Sequence, residues 1–283
     1  MRARLEGVRL LLACVASCAI GATFATMWRP CITQPESVNG NRTRGLAEHA
    51  LQTHTVAAQS PTASHDPPSP MMQLSNWPPL PNRNAIHPIL EQLKLKAGIE
   101  VGAQKGRLAL VTLRVWESCQ GYKLVDLWGK EDNYQEPGAD STATKDANLK
   151  QARRVLKKFD DITEFFVMRS TDASKLLEDA HFDYIYVDAR HDYCAVMEDM
   201  DAYWPKLKPG GIMAGHDFVD AEYAMNRLGA VEDWSKCEDG SLQPRAVRGA
   251  VEDFVAKHEL PTLVSTQEDF PTWVIQKPMK PSV

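Results

Sequence analysis

The chain has 283 residues, 43% hydrophobic and 24% charged, and a formal net charge of -5. These values fit one or two ordinary globular domains. The acidic balance argues against a nucleic-acid binder, which needs a basic face, and against recruitment to anionic membranes by charge alone.

The first segment reads as a targeting element. Arg2, Arg4 and Arg9 precede an apolar run from Leu10 to Met27, closed by Trp28, Arg29 and Pro30. The run has 18 residues, near the short limit of about 17 for a membrane-spanning helix. A signal anchor over residues 1–28 fits the basic flank and the length. It implies a single-pass membrane protein with a lumenal domain in the Golgi or endoplasmic reticulum. A cleaved signal peptide (small residues Ala19, Gly21 and Ala22) and an organellar transit peptide are the alternatives, giving a secreted or organellar protein.

Residues 29–83 are rich in Pro, Ser, Thr, Gln, Asn and His, and no large apolar residue recurs at a regular period. Such a segment buries too little surface to offset its ordering entropy, and it reads as a disordered stem. Asn41-Arg42-Thr43 is a glycosylation sequon, usable if the stem is lumenal.

Six cysteines occur, at 14, 18, 31, 119, 194 and 237, with no C-x-x-C pair. The spacing excludes a compact zinc or redox motif. Cys14 and Cys18 belong to the apolar run. The other four are scattered and are expected as unpaired thiols, one disulfide staying open for a lumenal domain.

Regular patterning begins at Asn84. Ile86, Ile89, Leu90, Leu93 and Leu95 predict a lead-in helix ending near Lys96. Gly98-Ile99-Glu100-Val101-Gly102-Ala103-Gln104-Lys105-Gly106 reads as a short strand and a glycine turn, leading into a helix from Arg107 to about Glu117. In the spacing E-x-G-x-x-x-G, the first glycine lets the backbone turn and approach a ligand. The second lets the helix sit close to the strand. An ordinary strand-to-helix turn would share both glycines.

Tyr122 to Val125 reads as a second strand, with Asp126 at its end, placed to accept ribose hydroxyls. Trp128 either flanks an adenine ring or packs in the core. Lys145 to Phe159 is a helix whose basic face (Lys150, Arg153, Arg154, Lys157, Lys158) reads as solvated. Ile162 to Met168 is a third strand. Asp172 beyond it caps a helix starting near Ala173 or accepts from an adenine amino group.

Two apolar runs then end in polar clusters. Tyr184 to Val187 leads into Asp188-Ala189-Arg190-His191, and Gly211 to Ala214 leads into His216-Asp217. A helix from Cys194 to Leu207 joins them, with Val196, Met200, Tyr203, Trp204 and Leu207 on its apolar face. The chain reads as irregular from Asp217 through Trp234, Cys237 and Gly240. A helix from Arg245 to His258 and strands at Thr262 to Ser265 and Trp273 to Gln276 close the pattern. Strand and helix alternate about five times before a terminal strand pair. That means an α/β domain over residues 84–283, a mostly parallel sheet covered on both faces, with ligands at the carboxyl ends of its strands.

The segments E-V-G-A-Q-K-G, V-D-L-W, F-D-Y-I-Y-V-D-A-R-H-D-Y and L-K-P-G-G-I-M-A-G-H-D-F together resemble class I S-adenosylmethionine-dependent methyltransferases. The chain is most similar to small-molecule O-methyltransferase-like members whose fourth strand ends V-D-x-x-H-x-Y. The resemblance implies a Rossmann-like sheet of seven strands, the last antiparallel. It implies S-adenosyl-L-methionine as cofactor, with Glu100, Gly102 and Gly106 at its methionine side, Asp126 at the ribose, and Trp128 and Asp172 near the adenine. Some relatives hold a divalent metal between strands four and five. The matching positions are Asp188, His216 and Asp217, and magnesium or manganese is implied. The histidine departs from the acid of clear magnesium sites and suits manganese, iron or zinc, and a site without metal stays open.

His191 is the candidate general base, since its ordinary pKa suits proton removal near neutrality. Arg190 either binds an acidic acceptor or pairs with Asp192 or Asp217. The expected activity is methyl transfer to a hydroxyl of a small molecule or glycan. A nicotinamide oxidoreductase and a non-catalytic scaffold are the alternatives. Against the oxidoreductase stand the G-x-x-x-G spacing and the lack of a Tyr-x-x-x-Lys relay.

Overall fold

The computed structural model describes residues 73–129, 142–230 and 232–279. The apolar run from Leu10 to Met27, the sequon and the stem through residue 72 lie outside them. Among the described residues, no helix is long and apolar enough to cross a membrane.

Seven strands form one sheet: β1 (Ala97–Val101), β2 (Gly121–Asp126), β3 (Thr163–Val167), β4 (Phe182–Val187), β5 (Leu207–Gly215), β6 (Thr262–Val264) and β7 (Trp273–Gln276). Their order is β3-β2-β1-β4-β5-β7-β6. The first five pair in parallel, and β7 runs antiparallel to both β5 and β6. The chain starts each half next to the centre, so β1 and β4 are neighbours and their carboxyl ends flank the point where strand order reverses. Open α/β sheets bind ligands at that point.

Helices α1 (Ile86–Gln92), α2 (Arg107–Val115), α3 (Thr142–Val155), α4 (Ser170–Lys175), α5 (Tyr193–Tyr203), α6 (Ala221–Leu228) and α7 (Ala246–His258) cover the sheet. Every residue of β4 is buried, as expected of a central parallel strand. Its side chains alternate between two cores. Tyr184 and Tyr186 join Leu90, Leu113 and Trp116 on one face, while Ile185 and Val187 join Val196, Met200 and Phe254 on the other. Each such buried side chain contributes about 1.5–3 kcal/mol.

Three regions differ from the expectations. Leu74, Trp77 and Leu80 are buried. Leu74 N donates to Gln276 Oε1 at 2.9 Å, and Thr266 N donates to Leu80 O at 3.0 Å. The packed domain therefore reaches back beyond Asn84 to at least Leu74, because three large apolar residues suffice to anchor a proline-rich segment. The stretch after Asp217, expected to be irregular, contains α6. Its Asp220 caps Tyr223 N at 2.8 Å, and Gly229 ends it in the left-handed region. Its buried face is carried by Ala221 and Ala224, which leave little apolar periodicity to detect. Finally, the expectation of unpaired thiols is corrected: Cys194 and Cys237 form a disulfide, with Cα atoms 5.6 Å apart. Cys119 is a free buried thiol.

Candidate active site

The loop after β1 is set by main-chain geometry. Gly102 has φ of +94°, and a Cβ there would lie 1.9 Å from Asp188 O. Only glycine lets the ends of β1 and β4 approach this closely. Gly106 starts α2 with φ of +66° against Ala152 and Leu156 of the α3 region. Between them, Gln104 adopts φ of +41°, and Trp128 beyond β2 adopts +40°. Both are held by Asp126. Its Oδ2 accepts from Gln104 N at 2.8 Å and its Oδ1 from Trp128 N at 2.7 Å. The Trp128 indole N–H donates to Gln104 O at 2.7 Å, and its ring packs on Phe165. Non-glycine residues in this region cost about 1–3 kcal/mol each and persist where surrounding structure holds them, often at functional sites.

A cavity of about 290 Å³ opens along these strand ends, lined by Gly102, Gln104, Asp126, Trp128, Asp188 and His191 among others. Glu100 lies beneath it rather than in its wall. It is buried, bonded to the Tyr122 hydroxyl at 3.2 Å, and burial together with the nearby Asp188 pushes its carboxyl up to about 8. Gly106 is also outside the lining. Asp172 is not brought to the cavity: it is exposed in the first turn of α4, pairs with Lys175 at 2.7 Å, and caps nothing, since the cap position is Arg169.

On the opposite side, behind the lining residues Asp188 and His191, the polar clusters after β4 and β5 converge; His216 and Asp217 are not themselves in the lining. His191 Nε2 lies 3.1 Å from Asp217 Oδ2, and His216 Nδ1 lies 3.0 Å from Asp217 Oδ1. Asp217 has φ of +62°, a third such residue at this sheet edge. Asp188 pairs with Arg83 at 3.4 Å. The ligand atoms of Asp188, His191 and Asp217 all lie within 4.8 Å of one another. His216, expected as a metal ligand, is outside that set. Its place is taken by His191, expected as the base.

The protonation pattern follows from crowding. Burial raises the Asp188 carboxyl, and Asp217 raises it further. Burial would lift Asp217 too, but His191 and then His216 outweigh it and hold it low. Burial depresses His191, but Asp217, Glu232 and Asp188 overcome this and raise it well above 6.5. The surrounding carboxylates thus favour the protonated form of His191.

Three side chains of the segment after α6 pack against this cluster, of which Glu238 lines the cavity. Trp234 stacks on His191, with centroids 4.5 Å apart and planes at 27°. Glu232 Oε2 lies 4.0 Å from His191 Nδ1. Glu238 bridges Arg190 at 3.0 Å and Arg169 at 3.4 Å. Arg190 also pairs with Asp192, which caps α5, so it is engaged with acids rather than poised for an acceptor. The disulfide ties this segment to α5. Asp199 is a further lining residue that the sequence reading passed over. It is buried on α5 beside Val196, Met200 and Tyr203, and burial pushes its carboxyl up to about 7. An acid on the apolar face of a helix was the available signal.

Residues 99–218 match the family model of a methyltransferase domain. The strand order and the antiparallel β7 are those of the Rossmann-like methyltransferase fold. No curated protein sequence matches the chain. Among solved structures, the chain is similar to an O-methyltransferase from Bacillus cereus in complex with S-adenosylhomocysteine. The two share 14% identity over 72% of this chain and 86% of that one, with a TM-score of 0.47. It is also similar to an N-methyltransferase from Bradyrhizobium japonicum, at 16% identity over 69% and 94%, with a TM-score of 0.44. The strand order, with β7 antiparallel, carries the fold independently of these likenesses.

Proposed function

We propose that this domain transfers a methyl group from S-adenosylmethionine to a hydroxyl of a small molecule or glycan. The observation that supports it most is one cavity lined both by the Gly102–Asp126 loop system and by Asp188 and His191. A donor at the first wall and an acceptor at the second would share that space, and methyl transfer needs in-line placement more than covalent chemistry.

The residues fit the donor. Each Asp126 oxygen already accepts one amide and keeps further acceptor capacity for ribose hydroxyls. Trp128 offers a ring edge, and Gly102 leaves the backbone open to close approach. The donor supplies an electrophilic methyl on a sulfonium. The acceptor hydroxyl must lose its proton, and His191 is the group this wall offers to take it. The flanking carboxylates stabilise the imidazolium that results, as a buried acid does beside a catalytic histidine. His191 must enter the reaction neutral, and positive charge brought to the cleft favours that form.

A divalent cation also fits. Asp188, His191 and Asp217 are the residues that would hold it, two oxygens and one nitrogen suiting manganese, iron or zinc as well as magnesium. It would relieve the repulsion between the two aspartates and acidify a bound hydroxyl, and with the cation held His191 would serve as ligand in place of base. We further propose that the domain works in an oxidising compartment, which the disulfide supports and which agrees with a lumenal domain behind an N-terminal anchor.

The test is donor turnover by the full chain against a panel of hydroxylated small molecules and glycans, with amines as controls, before and after chelation. Turnover with a hydroxyl acceptor that His191→Gln lowers at least tenfold supports the reading. Turnover confined to amines would overturn the hydroxyl assignment, and activity indifferent to chelation would remove the metal.

A further inference from the structure

We propose that Glu238 is the clasp of a gate on the cavity: it ties Arg169 to Arg190 across the mouth, and the ligand enters and leaves when this bridge parts. The ligand is taken to be the methyl donor, so the proposal rests on the methyl-transfer reading.

Exposure locates the mouth. Of the residues that line the cavity, the exposed ones are Gln104, Arg169, Glu198 and Glu238. Gln104 lies in the loop after β1. The other three gather on the side of α4 and α5. Arg169 is the residue before α4, Glu198 stands on α5 one turn past Cys194, and Glu238 follows Cys237, which is bonded to Cys194. Glu238 Oε2 lies 3.0 Å from Arg190 Nη1 and 3.4 Å from Arg169 Nη1. Its Oε1 accepts from Arg169 Nη2 at 3.4 Å. Arg169 follows β3 and Arg190 follows β4, and β2 and β1 lie between those strands in the sheet. The bridge therefore joins the loops on either side of the strands that carry Gly102 and Asp126.

Its members are not held equally. Arg190 is a fixed post: its side chain is 14% exposed and pairs at 2.9 Å with Asp192, which is buried and caps α5. The Arg169 and Glu238 side chains are each 46% exposed. Exposed ion pairs contribute little to stability and are weakened by salt, so this half can part without unfolding. The disulfide and the stacking of Trp234 on His191 keep the segment in place when it does. Glu238 acts on two lining arginines rather than on the ligand. Parting the bridge therefore speeds entry and exit alike and leaves affinity as it was.

The experiment follows S-adenosylhomocysteine exchange on the full chain by stopped flow, read by tryptophan fluorescence, to which Trp128 in the cavity wall contributes. In Glu238→Gln the association and dissociation rates should both rise about three- to tenfold, with affinity within twofold. Raising salt should bring the parent toward the same rates and leave the variant where it is. Unchanged rates overturn the proposal. So does faster dissociation alone with weaker affinity, which would make Glu238 a ligand contact. A second readout needs no ligand. Deuterium uptake by the backbone of residues 232–242 should rise in Glu238→Gln, and in the parent as salt is raised. Uptake indifferent to both overturns the clasp whether or not the ligand binds. A parent that binds no S-adenosylhomocysteine overturns the methyl-transfer reading, and uptake then decides the clasp alone. Should Glu238→Gln not fold, Arg169→Gln, which breaks the exposed half of the bridge from its other side, is judged by the same measures.

Discussion

The two walls of the cleft are built by different means. The wall we propose for the donor is held by backbone: Gly102 at the strand crossing, and Asp126 gathering the amides of Gln104 and Trp128. The wall we propose for the acceptor is held by side-chain charge: Asp217 pairs with both His191 and His216, and Asp188 lies within 4.8 Å of His191 and Asp217, with Glu232 and Trp234 beside His191. The first wall suits a ligand that never varies. The second places its charge on side chains, which can be exchanged for a different acceptor without disturbing the fold. The comparison makes a demand: damage to one wall should leave the function of the other.

The largest effect is expected at the acceptor wall. Asp217→Asn removes the group that pairs with both histidines, and turnover should fall about 10²- to 10³-fold, while S-adenosylhomocysteine affinity stays within twofold by calorimetry. Equal losses in both would mean that the walls are one unit. At the donor wall, Gly102→Ala drives a Cβ into Asp188 O at a positive φ, and should cost about 3–4 kcal/mol in urea unfolding together with donor binding. An undisturbed variant would show that the strand crossing is not tight.

The disulfide allows a sharper cut. It closes a sequence separation of 43 residues, which corresponds to at most about 4 kcal/mol of chain entropy. Replacing Cys194 and Cys237 by Ser should lower the unfolding midpoint and reduce turnover several-fold, with donor affinity again preserved. Loss of donor affinity would place the 232–242 segment on the wrong wall.

The smallest effect concerns Asp199, whose carboxyl is raised by burial to about 7. An acid with a raised folded pKa binds more protons folded than unfolded. Its contribution to stability is present below the ordinary carboxylate range and is lost as pH rises through about 7. The parent should therefore lose on the order of 2 kcal/mol more than Asp199→Asn between about pH 5 and pH 8. Parallel pH profiles of the two proteins would refute a proton on Asp199.

The same contrast explains what could be read from the chain. Gly102, Asp126 and Trp128 lie within 27 residues of each other, and their meeting at one cavity follows from local turns, so their grouping was legible. The sheet was legible too, because Tyr184 to Val187 in β4 and Gly211 to Ala214 in β5 are apolar runs, although Lys208 to Gly210, read as a turn, also belong to β5. Asp188, His191 and Asp217 were visible as strand-end residues, but not their grouping. The spacing of His216 beside Asp217 suggested a ligand pair, and only the folded backbone shows that His191 reaches Asp188 as well. Glu232 and Cys237 were beyond reach, since they meet His191 and Cys194 through tertiary folding across α6. Asp172 misled for a local reason: α4 begins at Ser170, which turns its side chain to Lys175.

The most direct test of the central claim is calorimetric titration of the full chain with S-adenosylhomocysteine and, separately, with NAD. The account predicts binding of the first that Asp126→Ala reduces at least tenfold, and none of the second. Binding of NAD without S-adenosylhomocysteine would contradict it.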